Sequence, residues 1–196
     1  MAQLSRDLPD QTKSPFGFPP RYEQACAVLR AGIRVFPTTS AGRLFDTVAA
    51  LTGFTRSMTF EGQAAMWLEH LARRADEDST EFPCRFTGSE IDWREILCAV
   101  IDARARGVPP ERIARAFHRS VARATAAAIA ALAVKSGVEI AVLSSGVLQN
   151  DLLLEDIRDA LTQTRIQLWT NREVPPNDGG VSLGQAALAL SATLSA

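Results

Sequence analysis

The stretch V-E-I-A-V-L, Val138–Leu143, constrains this chain more than any other. It is a short apolar run bounded by glycine and by the turn S-S-G-V-L-Q-N, which reads as a buried strand. A helical pattern follows, from about Gln149 to Thr162, and then a second strand, I-Q-L-W-T, Ile166–Thr170. The turn V-P-P-N-D-G-G comes next and opens a last helix, Gly179 to about Leu194. Strand–turn–helix repeated twice predicts parallel strands joined by a right-handed crossover.

The segments before Val138 predict helices almost throughout. Tyr22 to Gly32 forms a short helix stopped by glycine. Thr38-Thr39-Ser40 caps a second, with Leu44, Phe45, Val48 and Leu51 on one face and its end near Gly53. A third starts around Glu61, a fourth spans Ile91 to Arg106, and Pro109-Pro110 opens the longest, to about Val134. Between the third and fourth, the sequence allows one short strand near Phe82–Phe86. Two principal strands among so many helices suggest that the chain is not a whole α/β fold. Residues 1–20, ending F-G-F-P-P, read as a loose arm.

With 196 residues the chain makes one domain, or at most one and a half. Its net charge of −1 gives no general reason to expect nucleic acid or an anionic membrane as partner. The sequence has no signal-peptide pattern and no apolar run long enough to span a bilayer, so the cytoplasm is expected. Cys26, Cys84 and Cys98 are odd in number and form no C-x-x-C pair, so reduced thiols are expected.

Three places have the residue types for binding. The first is Ser144–Asn150: it follows a strand, and ligands of open α/β sheets collect beyond strand carboxyl ends. Gly146 would let backbone approach a ligand, while Ser144, Ser145 and Asn150 offer hydrogen bonds; the plainer reading is a turn with glycine at positive φ. The second is Asp178, either a helix cap (shared with Asn177) or a carboxylate facing the first loop. His70 and His118 lie far apart without metal-ligand spacing, and both read as structural. The third is Arg112, Arg115, Arg119 and Arg123, one helical face that reads as solvated more readily than as a nucleic-acid stripe. Trp67, Trp93 and Trp169 read as core or partner-facing anchors. Asp46 and Glu61-Gly62-Gln63 are polar positions in apolar helical patterns, of the kind usually found at surfaces or caps.

Five segments in order, T-S-A-G-R-L-F-D-T-V-A-A-L, T-F-E-G-Q-A-A-M-W-L-E, I-A-R-A-F-H-R-S, L-S-S-G-V-L-Q-N-D-L-L-L-E and V-P-P-N-D-G-G-V-S-L-G-Q-A, resemble the C-terminal part of the HypF carbamoyltransferases of [NiFe]-hydrogenase maturation. The resemblance covers roughly Thr38–Leu190 and none of residues 1–20. It implies an α/β, helix-rich, partial second lobe of the actin-like ATPase (RNase H-like) fold, shared with TsaD-type enzymes. It also implies ATP or carbamoyl-adenylate as ligand, and carbamoyl transfer to the C-terminal cysteine of a HypE-like acceptor. By position, Ser144, Ser145, Gly146 and Asn150 match the nucleotide loop S-G-G-V-F-Q-N. Asp46, Glu61, Gly62 and Gln63 match segments facing adenosine and ribose. Asp178 matches one ligand of a divalent metal, zinc or iron, whose two histidines and second aspartate have no counterpart here.

The chain departs from the family pattern in several ways. The other domains and the first lobe of the TsaD-like module are absent, as are the glycine-rich strands that open the second lobe. Ser145 replaces a loop glycine, and Leu148 and Asp151 replace Phe and Arg. The expectation is a module inactive alone, completed by a protein partner or by self-association that covers the missing-lobe surface. The alternative is a non-catalytic assembly protein, or a remnant, that reuses the lobe.

Overall fold

A computed structural model describes residue 10 and residues 13–32, 34–55, 57–76 and 80–194. Seven helices are described: α1 (Arg21–Ala31), α2 (Ala41–Thr52), α3 (Gln63–Ala72), α4 (Trp93–Ala105), α5 (Pro110–Ser136), α6 (Asp151–Leu161) and α7 (Val181–Leu194). Four short strands accompany them: β1 (Arg85–Phe86), β2 (Ile91–Asp92), β3 (Ile140–Leu143) and β4 (Gln167–Thr170).

The helices start and stop where local chemistry requires. Pro110 fills the first turn of α5, where its missing N–H costs nothing, and Gly137 ends the helix in the left-handed region at φ 66°. Gly53 ends α2 the same way at φ 119°. The Asp92 carboxylate caps α4, accepting from the Arg94 N–H at 3.0 Å.

The core is a helical stack around α5. Phe45 and Val48 of α2, Leu68 of α3, Val100 and Ile101 of α4, Ile113 and Phe117 of α5, and Ile157 of α6 are essentially sealed from solvent. Phe45 and Phe117 meet edge-on with ring centroids 4.9 Å apart. The arm expected over residues 1–20 packs on the helices at Pro15 and Phe16. Phe16 is buried in this core, and Arg104 of α4 donates to the Pro15 carbonyl at 3.2 Å. Residues 1–9 and 11–12 lie outside the described residues.

β1 and β2 form a small antiparallel hairpin, with Phe86 opposite Ile91. The single strand expected near Phe82–Phe86 is thus half of a pair, and the first two residues assigned to the fourth helix are its other half. β3 and β4 are parallel, joined through α6, in the register Ile140–Gln167 to Leu143–Thr170. Their inner face, with Leu143 and Leu168, packs on the core.

The outer face departs from the expectation of a buried strand. Ile140, Val142 and Trp169 are 44%, 67% and 55% exposed. Parallel sheets are ordinarily covered on both faces, and here only one has its cover. The helix α7 does not supply the other, since residues 181–191 are exposed throughout. Its main contacts are with the turn just before it. No helix among the described residues is long and apolar enough to cross a membrane.

Candidate functional site: the loops beyond β3 and β4

Because β3 and β4 are parallel and in register, the segments that follow them emerge at the same edge of the sheet. After β3, Ser144 and Ser145 lead into a 3-10 turn, Gly146–Gln149, and then into α6. After β4, the chain passes Pro175-Pro176 into a second 3-10 turn, Asp178–Gly180. The two loops touch. Asn177 donates from Nδ2 to the Gln149 side-chain carbonyl at 3.2 Å. The Asn177 Cβ lies 3.9 Å from where a Cβ on Gly146 would stand. The N-terminus of α2 closes a third side: a Cβ on Gly42 would lie 3.8 Å from Val147.

The glycines here differ in purpose. A Cβ on Gly180 would fall 2.6 Å from the Pro175 carbonyl oxygen, so the turn itself demands glycine there. Gly146 has no positive φ, and a Cβ there would make only ordinary contact. The plainer reading of Gly146, a turn needing the left-handed region, is therefore incorrect. Nothing in the chain's own packing requires a bare backbone at that point.

The donors at the loop fall into two classes. At the start of α6 they are taken: the Leu152 N–H donates to Glu69 Oε1 at 3.2 Å, the Leu153 N–H to Asn150 Oδ1 at 2.8 Å, and the Leu154 N–H to the Asn150 carbonyl at 3.1 Å. With Glu69 and Asp151 both acidic, the first turn of α6 already has the negative charge its dipole favours. The backbone N–H groups of Gly146 and Val147, by contrast, have no acceptor among the described residues. Ser144 and Ser145 are exposed beside them. A polar ligand or phosphate oxygen would find its donors here, one turn ahead of α6.

Asn150, expected to touch nucleotide, is instead buried and committed to the protein. Its Oδ1 caps α6, while its Nδ2 donates to His118 Nε2 at 3.1 Å. His118 in turn donates from Nδ1 to the Ala114 carbonyl at 2.8 Å. Burial lowers its pKa to about 4, against weaker upward pulls from the Ala114 carbonyl, Glu69 and Asp156. The imidazole is neutral at neutral pH.

The remaining candidates are more dispersed. Asn177, not Asp178, is the cap of the second turn, with Oδ1 accepting from the Gly179 N–H at 3.0 Å. Asp178 is exposed beside it. No three His, Cys, Asp or Glu side chains among the described residues converge as metal ligands. The residues present therefore do not form a metal site of their own, and Asp178 offers one carboxylate.

Asp46 pairs with Arg43 at 3.2 Å, one turn into α2. Gly62 takes φ 82° before α3, and the Gln63 side-chain carbonyl accepts from the Thr59 N–H at 2.8 Å. Glu61 is exposed there. This segment lies about 9 Å along the axis of α3 from Glu69, which reaches the loop. No hydrogen bond joins Asp46 or Glu61–Gln63 to Ser144–Asn150 among the described residues.

The arginine face of α5 is neutralised at three points. Arg112 pairs with Asp76, Arg115 with Asp156 through both carboxylate oxygens, and Arg123 with Glu81. Arg115, Arg119 and Arg123 of α5, Asp156 and Asp159 of α6, and Glu81 line a cleft of about 380 Å³ carrying three positive and three negative side chains. Such a balance does not make a phosphate stripe.

Sequence reasoning did not single out Glu69, Gln149, or Asn177 as the bridge between loops. It placed His118 correctly as structural without finding its partner. His118 shares the face of Ala114, Phe117 and Val121, and that spacing already places it in the core.

The sequence pattern of the family described as carbamoyltransferase, Kae1-like domain, second subdomain, matches residues 2–185. That match takes in the N-terminal segment for which the motifs showed no resemblance. The carbamoyltransferase HypF of Rhodobacter capsulatus is 39% identical over 160 residues, covering 81% of this chain and 20% of that protein. A HypF homolog of Cupriavidus necator is 31% identical over 173 residues, covering 83% of this chain and 43% of that one. The crystal structure of full-length HypF in its phosphate- and nucleotide-bound form superposes with a TM-score of 0.78 at 32% identity, over 90% of this chain and 28% of that chain. T. kodakarensis HypF gives a TM-score of 0.75 over 86% of this chain and 22% of that one. The chain thus spans about a fifth of the length of the first of these relatives. With that coverage and the shared lobe, the chain belongs to the HypF carbamoyltransferase family, as the second subdomain of its Kae1-like domain.

Proposed function

We propose that this chain is the nucleotide-binding half of a carbamoyltransferase, taking ATP or carbamoyl-adenylate at the Ser144–Asn150 loop and acting with a partner lobe. In this reading, the assembled enzyme forms carbamoyl-adenylate from carbamoyl phosphate and ATP and passes the carbamoyl group to the thiol of an acceptor such as the HypE tail, in [NiFe]-hydrogenase maturation.

One observation supports this most. The unclaimed N–H groups of Gly146 and Val147 lie at the carboxyl end of β3, in a loop where the chain's own packing does not explain the glycine. Adjacent unpaired donors beside a glycine suit a phosphate or ribose oxygen. Ser144 and Ser145 would add hydroxyls. Asn150 and Asn177 act from behind, fixing the loops. Asp46, Glu61, Gly62 and Gln63 keep the adenosine-facing role only where the partner lobe brings ligand across α2 and α3. Asp178 would supply one ligand to a zinc or iron ion only if a partner brought the others.

The partner follows from the uncovered sheet. Ile140, Val142 and Trp169 leave an exposed apolar face on the sheet, which supports a second lobe as its cover. The test is an ATP titration followed by the amide signals of Gly146 and Val147, in wild type and Gly146→Leu. A Cβ at Gly146 makes only ordinary contact, and the leucine side chain beyond it would crowd the place a ligand would take. Movement of both signals in wild type and its loss in Gly146→Leu supports the reading. Equal movement in both proteins, or none in wild type at millimolar ATP, contradicts it.

A further inference from the structure

We propose that His118 is a positioning residue for the loop, acting through Asn150 to hold the backbone N–H groups of Gly146 and Val147 in place. The inference rests on the reading of that loop as the nucleotide loop, but its geometry is independent of any ligand.

The hydrogen-bond directions are fixed by elimination. The Ala114 carbonyl can only accept, so the proton of the neutral ring lies on Nδ1, 2.8 Å away. Nε2 then has a lone pair and can only accept. Its neighbour at 3.1 Å must be the amide nitrogen of Asn150, which sets the flip of that side chain. With Nδ2 turned to His118, Oδ1 faces the Leu153 N–H at 2.8 Å and caps α6.

The backbone of Asn150 closes the other side: its N–H donates to the Val147 carbonyl at 3.2 Å, and the Leu148 N–H donates to the Ser145 carbonyl at 3.1 Å. One asparagine therefore joins the loop, the helix after it and the core helix α5. His118 and the Leu153 N–H together set which way that asparagine faces, and His118 ties it to α5.

Shape alone does not explain an imidazole here. Phe45 and Phe117 flank the ring edge-on at 5.4 Å and 5.8 Å, and a phenyl ring would share that apolar setting without burying polar nitrogens. What the imidazole adds is the acceptor for Asn150.

The test uses the full chain and three variants. Glutamine places a carbonyl oxygen near the position of Nε2, so His118→Gln can still accept from Asn150. Asparagine is too short to reach it, and His118→Phe has no acceptor. Thermal melts establish that each variant folds.

The amide shifts and exchange rates of Gly146 and Val147 are then compared, followed by ATP titrations on the same signals. The expected result is wild-type-like loop signals in His118→Gln and displaced, faster-exchanging signals in His118→Asn and His118→Phe. ATP affinity should be about tenfold weaker in the latter two and within threefold of wild type in His118→Gln. Unmoved loop signals in His118→Phe, or a His118→Gln variant as displaced as His118→Phe, overturn the proposal whatever the nucleotide does. Loop signals that divide as expected in a chain that shows no ATP response uphold the positioning role and overturn the nucleotide reading instead.

Discussion

Acidification should remove a defined share of this fold's stability through His118. The group is wholly buried, and burial is the largest cause of its lowered pKa, about 4 against an ordinary 6.5. A histidine whose folded pKa is depressed contributes stability that is fully present above the unfolded pKa. That contribution is lost as pH falls through the window down to the folded pKa. Protonation would place an N–H on Nε2 against the donor face of Asn150, and turning that amide over would uncap α6. Glu69 on α3 and Asp156 on α6 favour the charged ring, while Arg115 on α5 opposes it. With a difference of about 2.5 units at 1.36 kcal/mol each, the loss is about 2 kcal/mol at pH 5 and about 3 kcal/mol at pH 4.

Carboxylates elsewhere titrate in the same range, so the informative quantity is the difference between two proteins. Urea denaturation of wild type and His118→Phe, at steps from pH 7.5 to 4, gives that difference. Wild type should lose its advantage, or add to its deficit, by those amounts. A difference constant to within about 0.5 kcal/mol across the range would refute the assigned burial and protonation state.

Further expectations follow from other contacts. Asn150→Ala removes the α6 cap and leaves His118 without a donor, for a cost of about 2 kcal/mol and a fall of about 4–8 °C in melting temperature by calorimetry. Gly180→Ala should disorder the second turn, because its Cβ would meet the Pro175 carbonyl oxygen. The readout is exchange broadening at residues 177–181, while Gly146→Ala should leave those signals unchanged. Asp156→Ala strands Arg115 in a partly buried site and should destabilise by about 1–3 kcal/mol in urea melts, with no gain in RNA affinity.

Much of the helical framework is legible in the residues themselves. Pro110, Gly53 and Gly137 mark helix ends through their own backbone preferences, and Phe45, Val48 and Leu51 define a core face by spacing. The β1–β2 hairpin is not legible, because two-residue strands leave no period to read. Ile140 and Val142 look buried in sequence for a sound reason: a strand evolved to be covered reads the same whether or not its cover is in the chain. Among the described residues, nothing covers the face of Ile140, Val142 and Trp169. Phe16 is the opposite case, a core residue inside a proline-rich segment whose composition suggests a loose arm.

The candidate site shows a similar limit. The motifs locate the loop, but a motif does not say which of its side chains are free. Asn150 has both ends of its amide engaged, Oδ1 by the Leu153 N–H and Nδ2 by His118 thirty-two residues away. Asn177 and Asp178 offered equal chemistry as caps in sequence. Only the turn geometry gave the role to Asn177 and left the carboxylate of Asp178 outward.

The central claim is that this lobe needs a second one to act. Carbamoyl transfer from carbamoyl phosphate and ATP to an acceptor-tail cysteine peptide can be measured for the chain alone and with the first Kae1-like subdomain of a HypF relative added. The expected result is no transfer by the chain alone, transfer on mixing, and loss of that transfer when Trp169→Asp is introduced on the uncovered sheet face. Transfer by the chain alone at the rate of the mixture would contradict it.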